Sequence, residues 1–302
     1  LITTFDKSIP FDREDIAPLC ILSFDLECTS IDGGFPQAER PGDAIIQCGY
    51  TMHIVNEDNS KPFQCVSTLK KCAPVKDSII RYFDTEQELL VDIINVFDTL
   101  DPDIITGYNI NGFDFDYLNK RCKMHNLKII KKLSRYKPND AYVFKKIRQS
   151  SALGYNKMFV LKAEGRVVMD LLKIFQSDFK LTSYKLDAVA EKFMGLNKND
   201  VSPADIFRLY NNGSPEDIAI IADYCRQDCL LVNKLMDKMC FLMKAIGMAN
   251  VCSVPLDFLF LRGQGIKGTS QVSKFCQNLG YILPMTLKNN QYIKYKDMTE
   301  EE

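Results

Sequence analysis

No apolar run in this 302-residue chain approaches the roughly 18 residues that cross a bilayer, and the opening LITTFDKSIPFDRED lacks a basic start and an apolar signal core. A membrane span and a secretory leader are thus not expected, and the chain reads as an intracellular globular protein. Cys-x-x-Cys pairs are also missing, and with only 2 histidines no cluster stands beside the 11 cysteines to make a zinc site. The odd cysteine number and the chain length argue against a disulfide scaffold and leave reduced thiols. An excess of either charge sign is missing, with 38 Lys or Arg against 39 Asp or Glu, and the net −1 argues against a protein that coats nucleic acid by bulk electrostatics. Repeats and low-complexity tracts are absent, so the chain is read as successive elements.

What is present is 46% apolar residues, enough for a sizeable core in one large domain or two ordinary ones. LCILSFDL, residues 19–26, is the kind of run that makes a buried central strand. Gly33, Gly34, Pro36, Pro41 and Gly42 then predict an irregular loop before a second strand near Ile45 to Val55. Helical spacing of Leu89, Leu90, Ile93, Val96 and Phe97 predicts a helix from Glu86 to Leu100, ended by Pro102. A short strand at Ile104 and Ile105, a helix from Phe113 to His125 and a strand at Val167 to Met169 follow. Helices are expected at Leu171–Phe175, Leu186–Phe193, Ala204–Tyr210 and, as one long element, from Pro215 to about Ile246. Gly247 and the stretch to Pro255 read as a boundary, with a helical unit from Leu256 to Leu279 beyond it.

Between Lys120 and Arg148 stand 11 Lys or Arg residues and a single acid, Asp140. The segment reads as a hairpin or extended insertion; it is either a solvated basic face or a phosphate-contacting arm.

Three clusters carry chemistry. Asp25 and Glu27 stand two apart at the end of the first strand, so both carboxylates share one sheet face, where like charges raise each other's pKa or demand a divalent cation. Alone, Asp-x-Glu is equally an ordinary strand-end pair. Tyr108-Asn109-Ile110-Asn111-Gly112-Phe113-Asp114 sits where the Ile104 strand turns into a helix, and by itself it reads as a helix cap. Tyr224 and Asp228 lie i, i+4 on one helical face, a common surface pairing.

Together, in this order and spacing, the clusters resemble the DEDDy exonuclease signature of B-family DNA polymerases: Phe24-Asp25-Leu26-Glu27, then Asn109 through Phe113-Asp114, then Tyr224-x-x-x-Asp228. The resemblance runs from about Leu19 to Pro284 and takes in Gly165 to Leu172, Leu181 to Ala190 and Arg262-Gly263-Gln264-Gly265-Ile266-Lys267. Glu27-Cys28-Thr29-Ser30, Gly34-Phe35-Pro36 and Gly42 through Gln47 are most similar to polymerases of large nucleocytoplasmic DNA viruses. Two positions depart from many relatives: Cys28 stands where they carry Thr, and Asp116 where cellular ones often have Pro. The first removes an expected hydroxyl contact to the terminal nucleotide.

This resemblance implies an α/β, RNase H-like mixed sheet flanked by helices, followed by a helical segment leading into the polymerase palm. In domains, residues 1–18 would end an N-terminal region, 19–248 form the exonuclease and 249–302 begin the palm. No Ser-Leu-Tyr-Pro-Ser or Asp-Thr-Asp stretch is present, so a fragment that cannot extend a primer by itself is expected. The implied activity is 3'→5' removal of terminal nucleotides with two ions of Mg²⁺ or Mn²⁺ held by Asp25, Glu27, Asp114 and Asp228. Tyr224 would orient the attacking water. Asn109, Phe113, Lys131, Lys132, Arg135 and Lys185 would contact DNA, although Phe113 with Tyr117 equally suits core packing and Lys185 a plain helix surface. The implied partners are a frayed or single-stranded DNA 3' end, the rest of a polymerase chain and a processivity factor. Two rival readings share the carboxylates: a stand-alone RNA-processing exonuclease, and a scaffold with a dead nuclease site. The first leaves Arg262 to Lys267 unexplained, and the second would be expected to have lost one of the four acids.

Overall fold

A computed structural model describes residues 15–59, 61–150, 154–196 and 201–283. Most of the expected N-terminal linker, and the stretch beyond residue 283, lie outside these. The chain divides into two compact units, Leu1–Cys240 and Phe241–Glu302.

The first unit is built on a six-stranded mixed sheet in the order β4-β3-β2-β1-β5-β8, from β1 (Cys20–Cys28), β2 (Ile45–Ile54), β3 (Phe63–Leu69), β4 (Ile79–Phe83), β5 (Ile104–Gly107) and β8 (Val167–Asp170). β1 runs antiparallel to β2 and parallel to β5, which places it centrally, as its unbroken apolar character demands. A separate antiparallel hairpin, β6 (Tyr142–Ser150) and β7 (Gly154–Lys162), overlaps only the end of the basic segment expected to form an insertion, whose earlier residues hold a short 3-10 turn, Ile130–Leu133.

Alternation along β1 sends Leu22, Phe24 and Leu26 into the main core beneath α1 (Glu86–Leu100) and α2 (Asp114–Met124). There Phe24 meets Phe97 edge-on at 5.2 Å and Phe115 at 5.4 Å. α1 spans the expected residues because Thr85 and Glu88 form a reciprocal capping box and Asp101 takes a left-handed φ of 44° before Pro102. α3 (Leu171–Asp178), α4 (Leu186–Met194), α5 (Pro203–Asn212) and α6 (Pro215–Lys238) complete the unit. α5 and α6 each open on a serine cap followed by proline at the first position, Ser202-Pro203 and Ser214-Pro215. α6 lies against β1 and β2 on the sheet face opposite α1.

The single long helix expected from Pro215 to Ile246 is two helices. α6 stops at Lys238, Cys240 adopts a left-handed φ of 52°, and α7 (Phe241–Cys252) begins the second unit. Apolar spacing continues through both, so periodicity carried no sign of the break. Gly247, read as a boundary, lies inside α7, and the division falls at Cys240. α8 (Leu256–Leu261) and α9 (Gln264–Asn278) form the expected helical unit beyond. β3 and β4 were not legible: β3 is nearly all buried yet contains Gln64, Ser67 and Thr68, so it lacks the alternation that reveals a strand.

Candidate active site

The pleat that buries Phe24 turns Asp25 and Glu27 to the other face, toward α6. Gly49 of β2 is the register partner of Asp25. A Cβ there would lie 2.9 Å from the Cys225 sulfur and 3.0 Å from the Cys225 carbonyl oxygen, so α6 reaches the sheet only because position 49 has no side chain. The Cys225 thiol donates to the Asp25 carbonyl at 3.5 Å. One donor atom from each of Asp25, Glu27 and Cys225 lies within 4.8 Å of the other two.

The second motif is shaped by a residue that the sequence reading left without a role. Asp170, at the end of β8, is buried, and its two carboxylate oxygens accept from the Asn109 and Asn111 N–H groups, each at 3.0 Å. Asn109 takes a left-handed φ of 68°, and its carbonyl accepts from the N–H groups of Gly112 and Phe113. This turn delivers Asp114 as the first residue of α2. The cap position is Phe113 and makes no side-chain cap bond, so neither Asn111 nor Asp114 caps this helix. Instead Asp114 accepts the Leu26 N–H at 3.2 Å, which ties it to β1 between Asp25 and Glu27.

From α6, Tyr224 and Asp228 enter the same field. Asp25 is held well above the usual carboxylate range by burial first, and then by the charges of Glu27, Asp114 and Asp228. Asp114 is pushed up to about 7, chiefly by burial, against the Leu26 N–H that favours its charged form. Burial and then the neighbouring Asp228, Glu27 and Asp25 raise the Tyr224 phenol. Asp223 points elsewhere, to Arg226 and Gln227.

A cleft of about 470 Å³ opens beside these acids, lined among others by Asp25, Asn109, Phe113, Asp114, Phe35 and Lys120. Phe113 is half-buried, with Phe35 edge-on at 5.5 Å and Tyr117 at 4.9 Å, and Tyr117 itself is core, donating to the Asp43 carbonyl. Lys131 and Lys132 are exposed on a short 3-10 turn, Ile130–Leu133, and do not line the cleft. Lys185 is exposed at the start of α4. Arg135 is committed to Asp101, Asp103 and the Gly165 carbonyl. Other members of the basic segment are likewise answered by acids, with Arg121 on Glu86 and Lys137 on Asp98.

Residues 3–189 match the DNA polymerase family B, exonuclease domain. The chain belongs to that family. Among curated relatives, the DNA polymerase delta catalytic subunit of Plasmodium falciparum (isolate K1 / Thailand) is 36% identical over 290 residues, covering 95% of this chain and 26% of that protein. The Drosophila melanogaster DNA polymerase delta catalytic subunit is 34% identical over 300 residues, 98% of this chain and 27% of that protein. A DNA polymerase of Pyramimonas orientalis virus is 34% identical over 318 residues, 86% of this chain and 26% of that protein. The chain thus spans about a quarter of the length of these relatives, and the identities do not separate viral from cellular kinship.

Family B exonuclease domains are metal-dependent, and the donor set here fits a hard divalent cation. The acids raise one another's pKa, so a cation relieves a repulsion that the fold otherwise carries. The Cys225 thiol is itself pushed well up, by its hydrogen bond to Cys229 and by burial, and stays a neutral donor. No helix among the described residues is long and apolar enough to cross a membrane.

Proposed function

We propose that this family B exonuclease domain removes 3'-terminal nucleotides from DNA as the proofreading activity of a longer replicative polymerase. One observation supports the reading above the others: the half-buried Asp25 has its pKa raised by desolvation and then by the acids Glu27, Asp114 and Asp228, and these acids come from β1, α2 and α6 beside an open cleft. Asp25, Glu27, Asp114 and Asp228 are the residues to hold two ions of Mg²⁺ or Mn²⁺, which when bound supply charge neutralisation at the phosphate and acidify water.

The residues of the chain do the rest. Tyr224, whose phenol stays protonated, orients the attacking water by hydrogen bonding rather than acting as a base. The water oxygen bonds to phosphorus as the bond to the penultimate 3' oxygen breaks, leaving a shortened strand and a free 5'-nucleotide. Asn109 and Phe113 hold the terminal nucleotide, and Lys185, Lys131 and Lys132 meet phosphates outside the cleft. Arg135 contributes only if it leaves its acids. The implied partners are a frayed DNA 3' end, the remainder of the polymerase, whose palm residues 249–302 would begin, and a processivity factor. The place of work is inside the cell, in the host nucleus or in a cytoplasmic virus factory if the parent enzyme is viral.

The test is digestion of 5'-labelled matched DNA, mismatched DNA and RNA strands with Mg²⁺. DNA should shorten from its 3' end, fastest when unpaired, because unpairing a stacked end costs a few kcal/mol. Preference for RNA would favour an RNA-processing enzyme, no digestion a scaffold, and equal rates on matched and mismatched ends would refute proofreading.

A further inference from the structure

The cleft is lined by four acids, Asp25, Glu39, Asp114 and Asp116, and among its described lining residues by one cation, Lys120. Apart from Asp25 and Asp114, which are to hold the cations, the charged side chains that a polyanionic strand meets there are Glu39, Asp116 and Lys120, and of these only Lys120 attracts it. The ammonium of Lys120 stands 2.8 Å from Glu39 of the loop after β1 and 2.9 Å from Asp116, one turn earlier on α2. The ring of Phe159 lies 5.9 Å away on a third side. At rest its charge is thus fully answered, and the three groups together carry −1.

The bridge is not needed to hold the cleft wall. Buried Arg121 donates to the Ala38 and Arg40 carbonyls, on either side of Glu39, and Asp43 accepts the Ile31 and Gln37 N–H groups. Exposed pairs such as Lys120 with Glu39, whose side chain is 66% accessible, add little to stability. A cation fixed at the mouth by two exchangeable partners, on a wall that stands without it, is suited to handing itself to a phosphate.

We propose that Lys120 is a strand-positioning cation: it rests on Glu39 and Asp116 in the free protein and transfers to a backbone phosphate of the DNA strand that enters the cleft. The inference rests on the DNA-exonuclease reading above. Glu39 and Asp116 then compete with DNA, so removing either charge favours binding, whereas a merely structural bridge is broken alike from both ends.

Binding of a fluorescent single-stranded DNA oligonucleotide, with Ca²⁺ in place of Mg²⁺ to limit hydrolysis, separates these. Lys120→Met should weaken binding several-fold and lower the log–log salt slope by about 0.7, the share of one phosphate contact on a single strand. Lys120→Arg should keep both near wild type, and Glu39→Gln should tighten binding. In steady state with Mg²⁺, the rise in KM for Lys120→Met should exceed any fall in kcat. Weakening by Glu39→Gln to match Lys120→Met, or an unchanged salt slope in Lys120→Met, would overturn the role. A wild-type protein that binds no strand would instead sink the exonuclease reading.

Discussion

Two charge clusters flank α2, and they obey opposite rules. Glu86 is buried and fully answered: it takes the Arg121 guanidinium, the His125 ring and the Ile45 N–H. Asp25 is half-buried, and Glu27, Asp114, Asp228 and the Cys229 thiol all push its pKa the same way. The first cluster is complete as it stands and holds the loop after β1. The second carries a repulsion that the cations proposed above would relieve, which is what would distinguish a site from a brace.

Breaking each cluster should therefore have opposite consequences. Asp25→Ala should reduce nuclease activity to background while raising the thermal midpoint of the metal-free protein, because one of several repelling acids is gone. Digestion assays and melting with a chelator check both halves, and near-wild-type turnover would sink the assignment. Arg121→Met should destabilise by about 3–5 kcal/mol in urea unfolding, since it strands the Glu86 carboxylate away from water. A midpoint close to that of wild type would show that the brace is dispensable.

Tyr224→Phe sharpens the contrast within the site. It deletes a hydroxyl and leaves the carboxylates, so a partial loss of about ten- to a thousandfold is expected in single-turnover digestion. A loss as deep as that of Asp25→Ala would mean more than positioning. The smallest expected effect is a pH trend. Asp114 binds its proton more tightly folded, at about 7, than at its ordinary value of 3.8. Its contribution favours the fold below the lower value and is lost as pH rises through the upper one, so the metal-free protein should lose stability across that interval. Stabilisation by added Mg²⁺ should grow over the same range, and Asp114→Asn should flatten the trend.

The three clusters were legible because each carries a local signal: the end of an apolar strand, a strand-to-helix turn, and an i, i+4 pair inside α6. Asp170 was not, because its task is to grip two backbone N–H groups 61 and 59 residues away. The nearest signal was its place between a strand and a helix, where an aspartate also caps α3. The importance of Gly49 is visible only once α6 lies on β2. Arg135 read as a strand contact from its basic neighbours, whereas the fold gives it Asp101 and Asp103, which the same segment does not contain.

By itself, the sequence determined most of the helices, the strands β1, β2, β5 and β8 and the central place of β1, because these depend on neighbours within a few residues. Tertiary structure decided the rest: that α6 ends at Lys238, that Asp114 bonds β1 instead of capping α2, and which basic side chains face acids. Those outcomes depend on which distant surfaces meet, and charge or periodicity along the chain does not record that.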